Sequence, residues 1–185
     1  MGLCDISAGR NLSCKTSVGG IKNIFLSNFD DITSFTFTAD TEDTEIASFV
    51  YSAADSKGYR YELKGGNNLE QTITSSREAG TTFSTQTLTA ILVKQDMATH
   101  KQVKLLSHGR VRVVVEDYNG KFFLMGLNNG CELTTAAVST GTAMGDASGY
   151  TLTIVSMEKD LAQFVNAANE TALGTTPFFS EIVTS

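Results

Sequence analysis

The sequence predicts a mainly β protein, a β-sandwich or barrel of about eight to ten strands with one flanking α-helix. Segments in which polar and apolar residues alternate recur at short intervals, and turn-forming residues separate them. Serine and threonine together number 41, glycine 16 and proline 1, which suits strands joined by tight turns in one folded body. One segment also stands out as a helix with recognisable ends. At 185 residues the chain is long enough for one large domain with a real core.

Five strand segments precede the predicted helix in the first half of the chain. They are "GIKNIFLSNF", "ITSFTFTA", "IASFVYSA", "YRYELK" and "TLTAILVK", which begin at residues 20, 32, 46, 59 and 87. A polar stretch, residues 65–86, lies before the fifth strand. It has two interpretations: a long hairpin with its tip at Arg77–Gly80, or a mobile loop that orders against a partner.

The helix is predicted from Asp96, the expected N-cap, through "MATHKQVKLLSHG" to a stop at Gly109. The second half continues with a hairpin over residues 110–127, a tight turn at 128–130 and the strand "CELTT". A glycine-rich loop follows at 141–149, and then the strand "GYTLTIVSME". The segment "KDLAQFVNAAN", residues 159–169, predicts a short helix. We expect an N-terminal arm at 1–19, the β domain at 20–165 and a C-terminal arm at 166–185.

The hairpin "RVRVVVEDYNGKFFLMGLNNG" is the most regular part of the sequence. Asn119-Gly120 is the pair that a two-residue type I′ turn prefers, and this turn places Val115 opposite Leu124 and Val113 opposite Gly126. A face of valine and leucine is then expected to pack under the helix. The other face mixes two sets of residues, the polar Arg112, Glu116 and Tyr118 and the apolar Val114, Phe123 and Met125. That mixture suits either a contact with another subunit or an ordinary strand pair buried on both faces.

Charge and composition exclude several classes of protein. The net charge of −6 argues against a phosphate-binding surface, and the longest apolar runs are too short for a membrane span. The N-terminus has no signal-peptide pattern, so we expect a chain made and kept in a cytoplasm. Three cysteines are too few for a disulfide framework or a zinc site. We expect Cys4, Cys14 and Cys131 to be buried or unused thiols, with a Cys4–Cys14 disulfide as the alternative.

No residue pattern predicts a catalytic, metal or cofactor site. His100 and His108 lie on one predicted helix, which favours surface or partly buried positions. Glu116 and Asp117 are neighbours on a strand and therefore point to opposite faces, so they cannot act together on one substrate. The loop 141–149 lacks the ending of a phosphate-binding loop.

An acidic cluster has two interpretations. Asp40, Glu42, Asp43 and Glu45 favour a solvated charged loop over a cation site, because the turn glycine of the common calcium loop is missing. The wider span 30–45 holds six acids and no bases, which gives one surface a negative potential.

Two long phrases resemble a known family. The run "GRVRVVVEDYNGKFFLMGLNNGCELTT", followed by "GTAMGDASGYTLTIVSMEKDLAQFV", is similar to phage tail tube proteins, in particular those of Bacteroidetes phages. The opening "CDISAGRNLSCKTSVGGIKNIFLSNF" resembles the same group, and "DASGYTLTI" before a charged pair resembles a recurring ending for their last strand. The resemblance covers most of residues 1–165.

The resemblance implies a structural, non-enzymatic virion protein without cofactors. It implies six-fold rings of identical subunits that stack into a hollow tube, through which DNA passes non-specifically. The type VI secretion tube shares this architecture. Inner sheets are then expected to run on from subunit to subunit, while the arms and residues 65–86 reach the next ring. The expected partners are the chain itself and other tail or neck proteins, without membrane insertion. The expected location is the virion tail, after synthesis in the host bacterial cytoplasm.

Two alternatives remain open from the sequence. The first alternative is a neck, connector or tail-terminator ring of the virion, which differs from a tube in copy number. A different class is a carbohydrate- or receptor-binding β-sandwich, against which the absence of tryptophan weighs. An enzyme on a β-barrel, with a site that no pattern identifies, is a more distant hypothesis.

Overall fold

The computed structural model describes residues 9–11, 14–38, 45–52 and 58–166. In chain order its elements are β1 (Ile21–Asn28), a short 3-10 helix (Phe29–Asp31), β2 (Ile32–Phe37), β3 (Glu45–Tyr51), β4 (Tyr59–Glu62), β5 (Asn68–Ser76), β6 (Thr81–Val93), α1 (Met97–Leu106), β7 (Val111–Asp117), β8 (Phe122–Met125), β9 (Glu132–Ser139), β10 (Gly149–Glu158) and β11 (Gln163–Val165). The predicted mainly β class with one flanking α-helix is confirmed.

The strands form two sheets. A seven-stranded sheet has the order β2-β3-β11-β8-β7-β1-β4, and a four-stranded sheet has the order β5-β6-β10-β9. The described strand pairs are antiparallel, apart from the parallel pair of β11 and β3. The longest of these pairings joins β6 to β10 over ten residue pairs.

The main core lies between the two sheets and beneath α1. Every second residue of β6 and β10 faces this core, because side chains alternate along a strand. Burial of apolar surface in this layer stabilises the sandwich. Its fully buried members include Ile24, Val113, Met125, Leu88, Leu152 and Ile154, and Val103 of α1 packs against them.

A second core covers the opposite face of the seven-stranded sheet. It joins Phe25, Val114 and Leu124 to residues of β2 and β3, so strands from both halves of the sheet order meet in one cluster. Strand β7 is therefore buried on both faces. The sheet curls on itself to reach this arrangement, as strongly twisted sheets do.

Arg112 anchors this curled sheet from within. Its guanidinium is buried and donates hydrogen bonds to three backbone carbonyls: to Leu127 at 3.2 Å, to Phe29 at 2.5 Å and to Ile32 at 2.7 Å. It also lies 4.0 Å from the centroid of the Phe29 ring. A buried charge needs such hydrogen bonds to offset the loss of water. Arg112 thus ties β7 to the turn that precedes β2.

The predicted register of the β7–β8 hairpin is wrong by one residue. Val113 pairs with Met125, Val115 with Phe123, and Glu116 with Phe122. The turn contains three residues, 118–120, closed by the backbone hydrogen bonds between Asp117 and Lys121 and between Gly120 and Asp117. Gly120 alone in this turn has a positive φ, 72°. The Asp117 carboxylate accepts the backbone N–H groups of Asn119 and Lys121, and these bonds favour the longer turn.

The one-residue difference changes which side chains share a face. Phe123 and Met125 lie with Val113 and Val115 on the main core, whereas Leu124 lies with Val114 in the second core. The prediction that valine and leucine share the face under the helix is therefore right for Val113 and Val115 and wrong for Leu124, which lies on the opposite face. Of the two interpretations of the mixed face, the strand pair buried on both faces is the one observed.

Asn119 has a role that turn propensity does not reveal. Its side chain accepts the backbone N–H of Val18 at 2.9 Å and donates to the Val18 carbonyl at 2.7 Å. The last part of the predicted arm 1–19 is thereby held against the hairpin turn. Most of that arm, together with residues 167–185, lies outside the described residues.

The helix and the polar stretch follow the sequence closely. The Asp96 carboxylate accepts the backbone N–H of Thr99 at 2.7 Å, so the predicted N-cap is confirmed, while α1 ends at Leu106 rather than at Gly109. Residues 65–86 contain β5 and the first part of β6, joined by the turn 77–80. The hairpin interpretation of this stretch is confirmed.

The short helix predicted over residues 159–169 is wrong. Gln163–Val165 form β11, which pairs with β8 on one side and with β3 on the other. Ala162 lies in the main core and Val165 packs on the second core, so these residues meet opposite sides of the sheet. This tertiary pairing outweighs the helix propensity of a short segment.

Gly120 and Gly126, the two glycines of the hairpin region with positive φ, differ in how closely other atoms surround them. Gly126 has a φ of 70°, and a Cβ there would lie 2.6 Å from the Cys131 sulfur and 2.7 Å from the Gly130 carbonyl carbon. Gly120 has a φ of 72°, and a Cβ there would have nothing within 4 Å.

We expect Gly120→Ala to lower the free energy of unfolding by about 1 kcal/mol, from backbone strain alone. Gly126→Ala should lower it by about 3 kcal/mol, because steric overlap adds to the strain. Urea denaturation of both variants measures the difference, and equal losses would contradict this packing.

Candidate functional site

The sequence-predicted chemical residues lie apart from one another. His100 is exposed on α1, with its ring centroid 6.2 Å from that of Tyr150, and His108 is exposed just after the helix. Glu116 is buried and accepts hydrogen bonds from the Lys22 ammonium at 2.9 Å and from the Asn23 amide. Asp117 instead closes the hairpin turn. The two carboxylates therefore have separate structural roles, as their positions on a strand predict.

The acidic cluster falls mostly outside the described residues. Asp40, Glu42 and Asp43 lie there, and Glu45 begins β3, where its carboxylate accepts the Thr38 hydroxyl at 3.1 Å. Within the described ranges no three histidine, cysteine or acidic residues are grouped as metal ligands. Asp30 and Asp31 belong to the 3-10 helix before β2.

The loop between β9 and β10 is held in a defined conformation. The Asp146 carboxylate accepts the backbone N–H groups of Thr142 and Ala143 at 2.8 and 2.7 Å. These hydrogen bonds lower the pKa of Asp146, so it is charged at neutral pH. Gly141 supports the turn with a φ of 75°. The side chain of Met144, at the tip, is fully exposed.

The four-stranded sheet carries the most extensive ordered surface feature of the described chain. Its outer face, which points away from the seven-stranded sheet, is made by the alternate residues of each strand that are not in the core. Strand pairing aligns them in rows across the sheet. We call this surface the threonine face; its rows are Thr74–Phe83, Thr72–Thr85–Met157, Glu70–Thr87–Val155–Glu132, Asn68–Thr89–Thr153–Thr135 and Ile91–Thr151–Ala137.

The threonine face is nearly uncharged. Eight threonines dominate it, and its two charged residues are Glu70 and Glu132, which lie in one row at opposite edges of the sheet. Threonine is β-branched, so the face is regular and stiff, and its hydroxyls keep it hydrated. A face of this kind has a weak negative potential and offers no cation to a phosphate.

Neither edge of this sheet is paired with another described strand, although α1 lies against β9 and the Gln95 amide donates a hydrogen bond to the Ser139 carbonyl at 2.7 Å, at the end of β9. Among the described strands, β5 has one neighbour, β6, and β9 has one neighbour, β10. Seven of the eight residues of β9 are exposed. Edge strands carry a row of unpaired backbone groups, which a further strand can satisfy. The sheet can therefore be extended on both sides.

The two ends of the sheet expose apolar side chains. The hairpin end consists of Ile73, Phe83, Met157, Leu161 and Phe164, and the loop end consists of Val93, Met97, Val138 and Met144. Ten residues of β6 separate Phe83 from Val93, which is about 34 Å along a strand. The β5–β6 hairpin projects at the first end, where Ile73 is 57% exposed.

A groove lies at the hairpin end, between the hairpin and the segment after β10. Its volume is about 540 Å³, and its apolar walls are Ile73, Phe123, Leu161 and Phe164. Ser84, Lys159 and Asp160 also line it. The Gln71 amide oxygen accepts the backbone N–H of Ala162 at 2.7 Å and so fixes the groove's two sides relative to each other.

Sequence reasoning missed the threonine face although its signal is present. The phrases "TQTLTAILV" and "GYTLTIVSM" have threonine at successive alternate positions, residues 85, 87 and 89 in the first and residues 151 and 153 in the second. Only the pairing register brings the alternate threonines of separate strands into one surface.

No family model matches this chain, and no curated protein matches it. Among the described residues, α1 is the sole α-helix, and it is far too short to cross a membrane.

The cysteines provide a test of the core around β9. Cys131 is fully buried, and burial raises its pKa to about 12, whereas Cys14 is exposed. Cys4 lies outside the described residues, so the Cys4–Cys14 disulfide stays untested. We expect a maleimide at pH 7.5 to label Cys14 in the folded protein but Cys131 only after denaturation, because the reactive thiolate is absent and the sulfur is inaccessible. Peptide mass spectrometry identifies which of the two cysteines is labelled. Rapid labelling of native Cys131 would contradict its burial, and urea-denatured protein is the positive control.

Proposed function

We propose that this chain is a structural, non-enzymatic subunit of a phage tail tube, in which rings of identical copies stack into a channel for DNA. The observation that carries this proposal is a four-stranded sheet with two edges uncovered by any described strand and a nearly uncharged outer face. The resemblance of residues 1–165 to tail tube proteins supports it. The proposed location is the virion tail.

Lateral assembly uses the uncovered edges. Strand β5 of one copy pairs with β9 of the next, so the four-stranded sheet continues around a ring. Such a contact joins two different surfaces, and repeated contacts of this kind close into a ring when the rotation between copies allows it. The resemblance implies six copies. Pairing of β5 with β9 also removes the aggregation hazard that these two edges carry in the free subunit.

The threonine face lines the channel in this arrangement. DNA passes without sticking when the wall offers no lysine or arginine to its phosphates, since each such contact would release counterions and hold the strand. Glu70 and Glu132 then provide a weak repulsion. Asp30, Asp31 and Glu45 belong to the region of the seven-stranded sheet and are not part of this wall.

Axial contacts use the segments that extend beyond the sheet. The β5–β6 hairpin, with its turn at 77–80, projects past the core, and the arms at 1–19 and 166–185 supply further contacts with the next ring. Other tail or neck proteins bind the ends of the tube.

Electron microscopy of the purified protein across a range of concentrations tests the proposal. We expect stacked rings or open-ended tubes with a central channel, because edge pairing and axial contacts are both satisfied only in an assembly. Discrete single rings would favour the neck or connector alternative. A monomer at every concentration that binds glycans in calorimetric titration would replace the proposal with the carbohydrate-binding class.

Cross-linking tests the lateral contact directly. We expect the double variant Thr72→Cys with Thr135→Cys, in a Cys4→Ser and Cys14→Ser background, to give a ladder of oligomers with a short bismaleimide. Thr72 lies on β5 and Thr135 on β9, so each joint between copies places one of each on adjoining strands. Denaturing electrophoresis counts the bands, and the longest band gives the number of copies in the ring.

The single variants are matched controls for this experiment. In Thr72→Cys alone and in Thr135→Cys alone, the cysteine lies on one side of the joint and the facing edge of the neighbouring copy has none. Each single variant should therefore remain monomeric after cross-linking. A cross-linked dimer from either single variant would indicate a two-fold contact between like edges and contradict the proposed joint.

A further inference from the structure

The exposed apolar side chains are unevenly distributed over the described surface. Of the fourteen large apolar residues that are exposed there, nine belong to the hairpin end or the loop end of the four-stranded sheet. Scattered single exposed apolar residues are ordinary, but concentration at two opposite ends marks contact surfaces.

The two ends have opposite shapes. The hairpin end contains the groove of about 540 Å³, with Ile73, Leu161 and Phe164 in its walls. The loop end carries the β9–β10 loop, in which Met144 projects fully into solvent. One end is thus concave and the other convex.

The loop is already ordered for such a contact. Asp146 binds the backbone of Thr142 and Ala143, and Gly141 supplies the positive φ that the turn needs. A loop fixed before binding loses little conformational entropy on association. Methionine is flexible and polarisable, so its side chain adapts to an irregular apolar groove.

The charges of the two ends also differ. Asp146 is the one charged residue of the loop segment 141–148. At the groove, Lys159 contributes to the lining beside Asp160, and the Lys121 ammonium lies 5.9 Å from the centroid of the Phe164 ring. The loop tip is therefore acidic, while the groove has Lys159 and Lys121 beside one acid, Asp160, and this difference in charge favours contact between the unlike ends.

We propose that the loop end of one copy docks in the hairpin-end groove of the next copy along the tube axis, with Met144 as the inserted side chain. This inference rests on the proposed function and names the surfaces that join successive rings. Contact between unlike ends at opposite poles is heterologous and does not close, so it generates an open stack rather than a two-fold dimer.

Charge substitution at the two surfaces tests the docking. We expect Met144→Glu and Leu161→Lys each to reduce the sedimentable, stacked fraction about tenfold or more, because each places a charge in an apolar contact. Ring formation, measured by the β5–β9 cross-linking ladder, should be unchanged in both. The double variant, Met144→Glu with Leu161→Lys, brings opposite charges of successive copies together at the contact. We expect it to recover stacking well above either single variant.

Leu105→Glu is the matched control. Leu105 is 55% exposed on α1, outside both ends of the sheet, so this variant should stack like the unaltered chain. Urea denaturation confirms that each variant is folded.

Each remaining outcome overturns the inference in a distinguishable way. If Met144→Glu stacks normally while the unaltered chain forms tubes, the docking is wrong and the proposed function stands. If Phe178→Ser with Phe179→Ser abolishes stacking while Met144→Glu does not, the C-terminal segment occupies the groove instead. If the double variant recovers nothing, the two surfaces do not touch. If the unaltered chain forms neither rings nor a cross-linking ladder, the proposed function fails together with the inference.

Discussion

The pairing of β6 with β10 is the constraint on which the rest of the structure depends. Its ten residue pairs align two strands that alternate threonine with leucine, isoleucine or alanine. One face of the pair supplies Leu88, Leu152 and Ile154 to the main core, and the other face supplies the centre of the threonine face. A slip of one residue would turn every one of these side chains to the wrong side. The same pairing therefore sets both the stability of the sandwich and the chemistry of its outer surface.

The seven-stranded sheet is subject to a different constraint. Its strand β7 is buried on both faces and yet contains two charged residues, Arg112 and Glu116. Each charge is matched locally: Arg112 by backbone carbonyls of the Phe29 turn and of Leu127, and Glu116 by Lys22 and Asn23 of β1. Removing one partner would leave a buried charge with an unmet hydrogen-bonding requirement, which costs more than the pair contributes. These hydrogen bonds hold β7 to the Phe29 turn and to β1. No described strand covers the edges of the four-stranded sheet.

The proposed assembly follows from this division of roles. The seven-stranded sheet is covered by its own curvature and by its partner sheet. The four-stranded sheet has two edges that no described strand covers, a face with two charged residues, and two apolar ends. In the proposed assembly the edges pair laterally, the face borders the channel and the ends stack axially, and only Phe83 and Met157 belong to both the threonine face and the hairpin end. A single flat sheet with these properties would aggregate in register with itself.

The sequence by itself determined the mainly β class, the capped helix, the 65–86 hairpin and most strand positions, because alternation, turn residues and caps are local signals. It also contained the alternating threonines of β6 and β10. Only the tertiary structure decided the register of β7 with β8, where the Asp117 carboxylate and the contact of Asn119 with Val18 favour a three-residue turn over the expected two. It alone made β11 a strand, since Gln163–Val165 has neighbours on both sides. The threonine face and the two apolar ends are likewise invisible in the sequence, because they are assembled from residues up to about ninety positions apart whose proximity depends on non-local strand pairing.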